Sequence, residues 1–213
     1  MTEKPSKAPR TEADKPAPSH DKVGLERLIF FSDAVFAIAI TLLALDIRLP
    51  PLEVGVSDRL LLDSLISVLP KFMGYVISFL VIGVFWIGHH RKFRLIVRYD
   101  SALMLLNLFF LMTIAFIPFP TAVLSEYGNR TATILYASTM TLVGLLMGAM
   151  WAYASHNHRL VDAHLSRKQI RREMLRTQLT TSVFLLSIVL AFFDSNIAKL
   201  SWLFIIVFLR FVW

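Results

Sequence analysis

Four long stretches of the sequence contain no Asp, Glu, Lys or Arg, and they restrict the chain to folds that bury apolar surface in a membrane. These stretches are Phe72–Gly88, Ser101–Ser125, Thr131–Ser155 and Thr177–Phe193. Each has about the length that a helix needs to cross a hydrocarbon core of about 30 Å. With 56% hydrophobic residues and a mean hydropathy of +0.62, the chain has more apolar surface than a water-soluble domain of 213 residues can hide. The sequence therefore predicts an integral membrane protein.

Two further predicted spans flank these four. Leu28–Leu49 has charges near both ends and stops at the two prolines that follow it. The last, Leu200–Trp213, is short, so this crossing either begins near Asn196 or lies in a thinned bilayer. The predicted fold class is an all-α membrane protein with six transmembrane helices per subunit, in a domain over residues 23–213. Residues 1–22 contain four prolines among charged and small polar residues, too little apolar surface to fold. We predict a disordered cytoplasmic tail there, not a signal peptide.

The distribution of the 22 Lys and Arg residues predicts the orientation of the helices. Six lie in residues 1–27, four follow the second span and six follow the fourth, whereas the alternate loops are acidic and include Glu53, Asp58, Asp63, Glu126 and Asp194. The positive-inside rule then places the N-terminus and the loops at 89–100 and 156–176 in the cytoplasm. Six crossings return the C-terminus to the same side, so both termini are predicted to be cytoplasmic. The net charge of +7 is attributed to this topology, and no nucleic-acid partner is expected.

The search for catalytic and metal-binding motifs is negative. No metalloprotease, serine-hydrolase or phosphate-loop motif occurs, and the absence of cysteine excludes disulfides, thiolate ligands and cysteine nucleophiles. His156, His158 and His164 have no carboxylate or thiol companions and are interpreted as solvated loop residues rather than metal ligands. We therefore expect no enzymatic activity, no metal site and no cofactor.

Two features of the later spans predict contacts. Gly144, Gly148 and Ala152 recur every four residues along span 4, the small-residue spacing that lets two helices pack closely. The basic stretch Arg167–Arg176 either anchors the topology, which we favour, or forms a short amphipathic helix on anionic lipid or a contact for a regulatory partner.

Span 1 holds the most informative polar residues, because Arg27, Ser32 and Asp33 open an otherwise apolar helix. An ionisable group at this depth costs about 2.5–3.5 kcal/mol by insertion scales, so it normally faces protein or water. At about 100° per residue, one stripe centred on Ile38 runs along the helix and Asp33 points about 140° away from it. The stripe contains Phe31, Ala34, Ile38, Thr41, Leu42 and Leu45.

Asp33 is accordingly expected to be buried and paired with another helix. The end of span 2 supplies groups at the same depth that can donate to Asp33 or Ser32, namely Trp86, His89, His90 and Arg91, and Arg27 can also reach the carboxylate. The alternative is that Arg27 and the histidines lie among lipid headgroups while Asp33 pairs locally. Periodicity alone does not identify the functional stripe, since span 1 is apolar nearly all round.

The segment Arg27-x-x-x-Phe31-Ser32-Asp33-x-x-x-Ala37-Ile38-x-x-Thr41-Leu42 resembles the first-helix signature of the transmembrane protein 175 family. This family comprises the potassium-permeable channels of endosomes and lysosomes and their bacterial relatives. Every fixed position of the signature is matched, and Trp86-Ile-Gly-His89-His90-Arg91 at the end of span 2 resembles the family as well. The single six-span unit resembles the bacterial members, which assemble as tetramers, rather than the animal members, in which two units are fused.

The resemblance implies a potassium-permeable cation channel of the bacterial inner membrane, a homotetramer in which span 1 lines a central pore. It places Ile38 at the constriction, with Leu42 and Leu45 one and two turns outward, where apolar rings stop ions by dewetting. It also implies that the Thr41 hydroxyl replaces part of the water shell of a permeating cation. It also implies an interhelical network that contains Arg27, Ser32, Asp33, Trp86 and a neighbouring histidine, His89 or His90.

Two other functions remain open at this point. A proton-coupled secondary transporter would use Asp33 with His89 or His90 as a relay, although no inverted repeat is visible and polar groups are scarce near the midplane. The basic loops, taken alone, are also compatible with an assembly scaffold that transports nothing. No Thr-Val-Gly-Tyr-Gly filter motif is present, so a channel is expected to select potassium over sodium only modestly. The expected partners are further copies of the chain, the lipid bilayer and monovalent cations.

Overall fold

The computed structural model describes residues 20–52 and 55–204. Its helices are α1 (His20–Ala44), α2 (Asp58–Ser67), α3 (Leu69–Phe93), α4 (Ser101–Phe116), α5 (Pro118–Tyr127), α6 (Arg130–Ser155), α7 (Arg167–Ala191) and α8 (Ser195–Ser201). Within these described residues, five segments are long and apolar enough to cross a membrane, namely Lys22–Ala44, Leu69–Phe93, Ser101–Tyr127, Arg130–His158 and Arg167–Ala191. The prediction of an all-α membrane protein is confirmed, and α4 and α5 together form the third span.

The predicted N-terminal tail and the predicted sixth span both lie partly outside the described residues. The predicted tail covers residues 1–22, of which 1–19 are outside, and α1 already begins at His20. The predicted sixth span begins with α8, whose N-terminus is capped by the Asp194 carboxylate, which accepts hydrogen bonds from the backbone N–H groups of Asn196 and Ile197. Residues 205–213, which make up the rest of that span, are outside.

Two predicted span boundaries are displaced. Span 1 ends at Ala44 instead of Leu49, because the chain leaves the helix through tight turns in which Leu45 N and Ile47 N donate to carbonyls three residues back. Span 2 begins at Leu69, three residues before the charge-free run that starts at Phe72, and the residues before it form the separate helix α2. Pro70 lies in the first turn of α3, where its missing N–H leaves no hydrogen bond unmade.

The basic stretch Arg167–Arg176 is helical, and the expectation of a loop or a short separate helix is wrong. It forms the first turns of α7, so this helix begins ten residues before the apolar run that starts at Thr177. Ser166 and Gln169 form a capping box, in which the Ser166 hydroxyl accepts from Gln169 N and the Gln169 side chain accepts from Ser166 N. This reciprocal cap fixes where α7 starts.

Helix α6 lies at the centre of the bundle and packs against α4, α5 and α7. Its large side chains, including Tyr136 and Trp151, are fully buried. The predicted close approach of span 4 to a neighbour is present, because a Cβ on Gly144 would lie 2.1 Å from the Thr181 hydroxyl of α7. The Tyr136 hydroxyl lies 3.1 Å from that of Ser78, which lies 2.8 Å from that of Thr121, so three helices share one buried polar cluster.

The two loops that carry the basic residues are joined at one end of the bundle. Val97 N donates to Leu160 O at 2.8 Å beside an antiparallel bridge between Ile96 and Val161. Asp100 accepts from the Tyr153 hydroxyl at 2.7 Å and pairs with Arg159 at 3.4 Å. Partial burial acts to raise the pKa of Asp100, but hydrogen bonds from Leu103 N and Tyr153, with the Arg159 charge, lower it below its usual value. The carboxylate is therefore ionised at neutral pH and holds the two loops together.

Candidate ion pathway and its polar supports

Helix α1 has one face buried in the protomer and one face that is largely exposed within the described chain. The buried face consists of Leu25, Ser32, Phe36, Ala39 and Leu43. The open face is the stripe proposed from helical geometry, on which Phe31, Ile38 and Leu42 are 52%, 58% and 42% exposed. Leu45 lies in the turn just after the helix and is 60% exposed. Both faces follow the spacing of three and four residues that one side of a helix requires. This apolar surface of α1 is thus available to contact groups outside the protomer.

Thr41 is the polar member of the open face. Its hydroxyl donates to the Ile38 carbonyl oxygen at 2.9 Å, one turn back along the helix. Because the hydroxyl proton is directed at the backbone, the lone pairs of the oxygen point outward and are available to a cation or to water. The open face of α1 therefore presents one side-chain oxygen to a cation or to water, at the residue before Leu42.

Asp33 lies on the side of α1 that faces α3, as expected from its angle to the stripe. Its carboxylate accepts a hydrogen bond from Nε1 of Trp86 at 2.8 Å. The side chain is half-buried rather than fully buried, and Trp86 itself is 39% exposed. A hydrogen bond to an ionised acceptor is stronger than one between neutral groups, so this contact fixes the rotation of α1 against α3.

A second polar contact ties α1 to α3 through α4. The Asn107 amide donates from Nδ2 to the Ser32 hydroxyl oxygen at 2.9 Å. The Ser32 hydroxyl in turn donates to the Leu28 carbonyl oxygen at 2.8 Å. On the other side, His89 Nε2 donates to Oδ1 of Asn107 at 2.9 Å. An amide oxygen only accepts, so Nε2 of His89 carries the proton. Ser32, His89 and Asn107 are all buried.

The His89 ring is held by aromatic side chains as well as by its hydrogen bond. It stacks on Phe93 at 4.1 Å between ring centroids and on Phe110 at 5.4 Å, with Phe36 of α1 tilted against it at 5.7 Å. Within the described residues, Nδ1 of His89 has no hydrogen-bond partner. The imidazole is therefore a rigid, buried donor at the junction of α1, α3 and α4.

The structure does not bring Arg27 and His90 into contact with Asp33. Arg27 is exposed, and no ion pair between it and Asp33 is formed in the protomer as described. It lies on the open side of α1 and lines a cavity of 580 Å³ between α1 and α4, together with Tyr99. His90 is exposed and packs against the Trp86 ring at 5.8 Å.

Asn107 is the member of this network that the sequence reasoning missed. Its partners Ser32 and His89 are 75 and 18 residues away along the chain, so no local motif marks them as a group. The available signal was its type and position: it is the only carboxamide in the charge-free run that begins at Ser101. A buried carboxamide costs free energy unless it is hydrogen-bonded, so a lone Asn in an apolar helix predicts a polar partner on another helix.

The fold and these contacts define a multi-pass membrane protein whose first helix is fixed by polar contacts on one side and open on the other. The family model described as "Endosomal/lysosomal potassium channel TMEM175" matches residues 27–118, the segment that contains most of α1 and the residues that support it. A potassium channel of Streptomyces collinus is 38% identical over 171 residues, which cover 78% of this chain and 82% of that protein. A potassium channel of Chamaesiphon minutus is 34% identical over 83% of this chain and 87% of that protein.

A solved structure agrees with this result. The crystal structure of a lysosomal potassium-selective channel TMEM175 homolog from Chamaesiphon minutus matches with a TM-score of 0.76 and 29% identity, and covers 89% of this chain and 97% of that one. The human endosomal/lysosomal proton channel TMEM175 is 28% identical over 68% of this chain, which spans 29% of the human protein.

The chain belongs to the TMEM175 family. The resemblance found in its first helix is thereby confirmed. The family consists of ion channels and not of enzymes, and the protein is a multi-pass membrane protein related to bacterial potassium channels.

Proposed function

We propose that the protein is a potassium-permeable cation channel, formed by four copies of the chain with α1 of each copy around a central pore. Each subunit has six transmembrane helices, with both termini in the cytoplasm. The observation that carries the proposal is the open face of α1, a continuous apolar surface on a helix whose opposite face is packed and hydrogen-bonded. Two relatives of which this chain covers 82% and 87% are named potassium channels, which supports the same function.

The gate consists of rings of apolar side chains from the open face. Ile38 forms the narrowest ring, and Leu42 forms a ring one turn further along α1. Leu45, in the turn just after the helix, forms the third ring. Their side chains are 58%, 42% and 60% exposed in the protomer, so they are free to face a common axis. A narrow apolar ring excludes water and hence ions, and a small outward movement of the helices lets water and ions through.

The polar supports set the rotation of α1 about its own axis. Trp86 holds Asp33 from α3, while Asn107 and His89 hold Ser32 through α4. A rotation of one residue position, about 100°, would turn Ile38 away from the axis, so two separate hydrogen-bonded anchors keep the apolar ring in register. Arg27 and His90 play no part in these anchors within one protomer.

Selection of potassium over sodium is modest in this proposal. The chain has no carbonyl filter motif, and the only oxygen ligand on the open face is Thr41, whose hydroxyl proton is already directed to the backbone. A selectivity above about a hundredfold, or about 2.7 kcal/mol, would contradict this statement.

The test is a flux assay on purified protein in liposomes under a potassium gradient. Wild-type protein should pass a current that rises linearly with potassium concentration. Ile38→Asn should wet the constriction and raise the current or relax selectivity, whereas the matched control Ile38→Leu keeps the ring apolar and should behave as wild type. Unchanged conductance in Ile38→Asn would mean that the wrong stripe of α1 has been assigned to the pore.

The same assay separates the alternatives. A proton-coupled transporter would show saturating flux with coupled proton movement, and a scaffold would show no flux. The contacts do not favour the transporter, because Asp33 bonds Trp86 and His89 bonds Asn107, so the proposed relay groups do not contact each other in the described protomer.

A further inference from the structure

A strongly basic cavity lies where α3 ends and α7 begins. Its volume is 350 Å³, and four arginines line it: Arg91, Arg94, Arg172 and Arg176. One carboxylate, that of Glu173, is the only acid among its lining residues. The basic stretch that opens α7 thus forms one wall of a defined cavity together with the basic end of α3.

The floor of the cavity is a buried ion-pair cluster. Glu173 is 7% exposed, and its carboxylate pairs with Arg176 of the same helix and with Nε of Arg91 at 3.5 Å. Lys92, which is 1% exposed, lies 4.0 Å from the same carboxylate. Three cations thus share a single anion below the cavity. Glu173 Oε2 and Arg91 Nε are buried and make no hydrogen bond within the described chain. With three cations to one carboxylate, the cluster has an excess of positive charge.

The rim carries further positive charge with no acid to offset it. Arg94 and Arg172 are both exposed, and neither forms an ion pair with any residue that the structure describes. Guanidinium groups bind phosphate through two parallel N–H donors, a geometry that a lysine cannot reproduce. Five cations around one carboxylate, with guanidinium groups at the mouth, therefore favour a phosphate oxyanion as ligand.

An apolar track leads from the cavity along α7. Leu175, Leu179 and Leu186 lie within about 60° of the direction of Arg172 around the helix. They are 45%, 42% and 56% exposed, so this face is free to contact acyl chains. Basic pockets between membrane helices near the membrane surface bind anionic lipid headgroups. We propose that this cavity binds an anionic phospholipid, with the headgroup phosphate between Arg94 and Arg172 and the chains along the leucines.

The experiment compares two double variants that remove the same charge from exposed positions. Arg94→Ala with Arg172→Ala empties the rim, whereas Arg167→Ala with Arg171→Ala removes two arginines that α7 holds outside the cavity. Neither variant touches the Glu173 cluster, so both should fold. Binding of dioleoylphosphatidylglycerol and dioleoylphosphatidylcholine to purified protein is measured by native mass spectrometry, with no ion flux involved, so the result is independent of channel activity.

Wild-type protein should bind phosphatidylglycerol at least about tenfold more tightly than phosphatidylcholine, because two arginines beside the phosphate each strengthen the binding of an anionic headgroup. The rim variant should lose that preference, and the control should stay within about twofold of wild type. Equal losses in both variants would mean general surface attraction and would overturn the site. Displacement of the lipid by millimolar glycerol 3-phosphate would overturn the lipid assignment in favour of a soluble phosphate ester.

Discussion

Replacing Asn107 with Leu tests the network that anchors α1. The substitution removes the acceptor of His89 Nε2 and the donor to Ser32, but Ser32 keeps its bond to the Leu28 carbonyl. Only His89 is left stranded, in a site where its ring is buried between Phe93 and Phe110. The stranded, buried N–H of His89 costs about 1–3 kcal/mol, and the loss of the hydrogen bond from Asn107 to Ser32 adds about 1 kcal/mol. Unfolding free energy should therefore fall by about 2–4 kcal/mol.

Equilibrium unfolding in mixed micelles of dodecyl sulfate, followed by circular dichroism, measures this loss. The matched control is Thr113→Val on the same helix, because that hydroxyl bonds only the Phe109 carbonyl of its own helix, and it should cost less than about 1 kcal/mol. The pair His89→Phe with Asn107→Leu removes both partners and should recover most of the loss, since replacing both by apolar groups is nearly neutral. A double variant as unstable as Asn107→Leu alone would refute the reasoning.

Two further predictions concern helix contacts. Trp86→Phe should lower the unfolding free energy by about 1.5–3 kcal/mol, because the charged Asp33 loses its hydrogen-bond donor. In an Asp33→Asn background the same substitution should lower it clearly less. Equal losses in both backgrounds would disprove the coupling between Trp86 and Asp33. Gly144→Ala should cost about 1–3 kcal/mol, since the new methyl group would lie 2.1 Å from the Thr181 hydroxyl, and thermal unfolding should show rescue by Thr181→Ala.

The control for the glycine prediction is Gly83→Ala on α3. A Cβ built there meets no atom within 4 Å, so the substitution should leave the unfolding temperature unchanged or raise it slightly. If the two glycine variants behaved alike, the close approach of α6 and α7 would not be the cause of the loss.

The membrane fold could be predicted from the sequence because a charge-free run of helical length has few alternatives. Thr131–Ser155 was placed within one residue of α6, which begins at Arg130. Helix ends were less predictable. Pro50 is the first obvious stop after span 1, yet α1 ends at Ala44, where backbone turns take over. The start of α7 was missed because its arginines resemble a solvated loop, although the cap formed by Ser166 and Gln169 is visible in the sequence.

The candidate site was predictable where one helix determines it and not where several helices meet. Helical geometry alone separated Asp33 from the Ile38 stripe, and the structure places them on different sides of α1. The same geometry puts Arg27 within about 20° of Ile38, so its position on the open side was available from the sequence. Asn107 and the cavity beside Glu173 depend on contacts between distant segments, which a single sequence does not reveal.

The central claim is that the open face of α1 lines the water-filled path, and one cysteine-accessibility measurement tests it. The chain contains no cysteine, so Ile38→Cys introduces a single thiol. Ile38 is 58% exposed, and Leu186 on α7, which is 56% exposed, is a matched control expected to face lipid. A cationic, water-soluble methanethiosulfonate reagent should reduce the potassium current of Ile38→Cys and leave that of Leu186→Cys unchanged. Full current in a modified Ile38→Cys channel, or an unreactive thiol in a conducting one, would contradict the account.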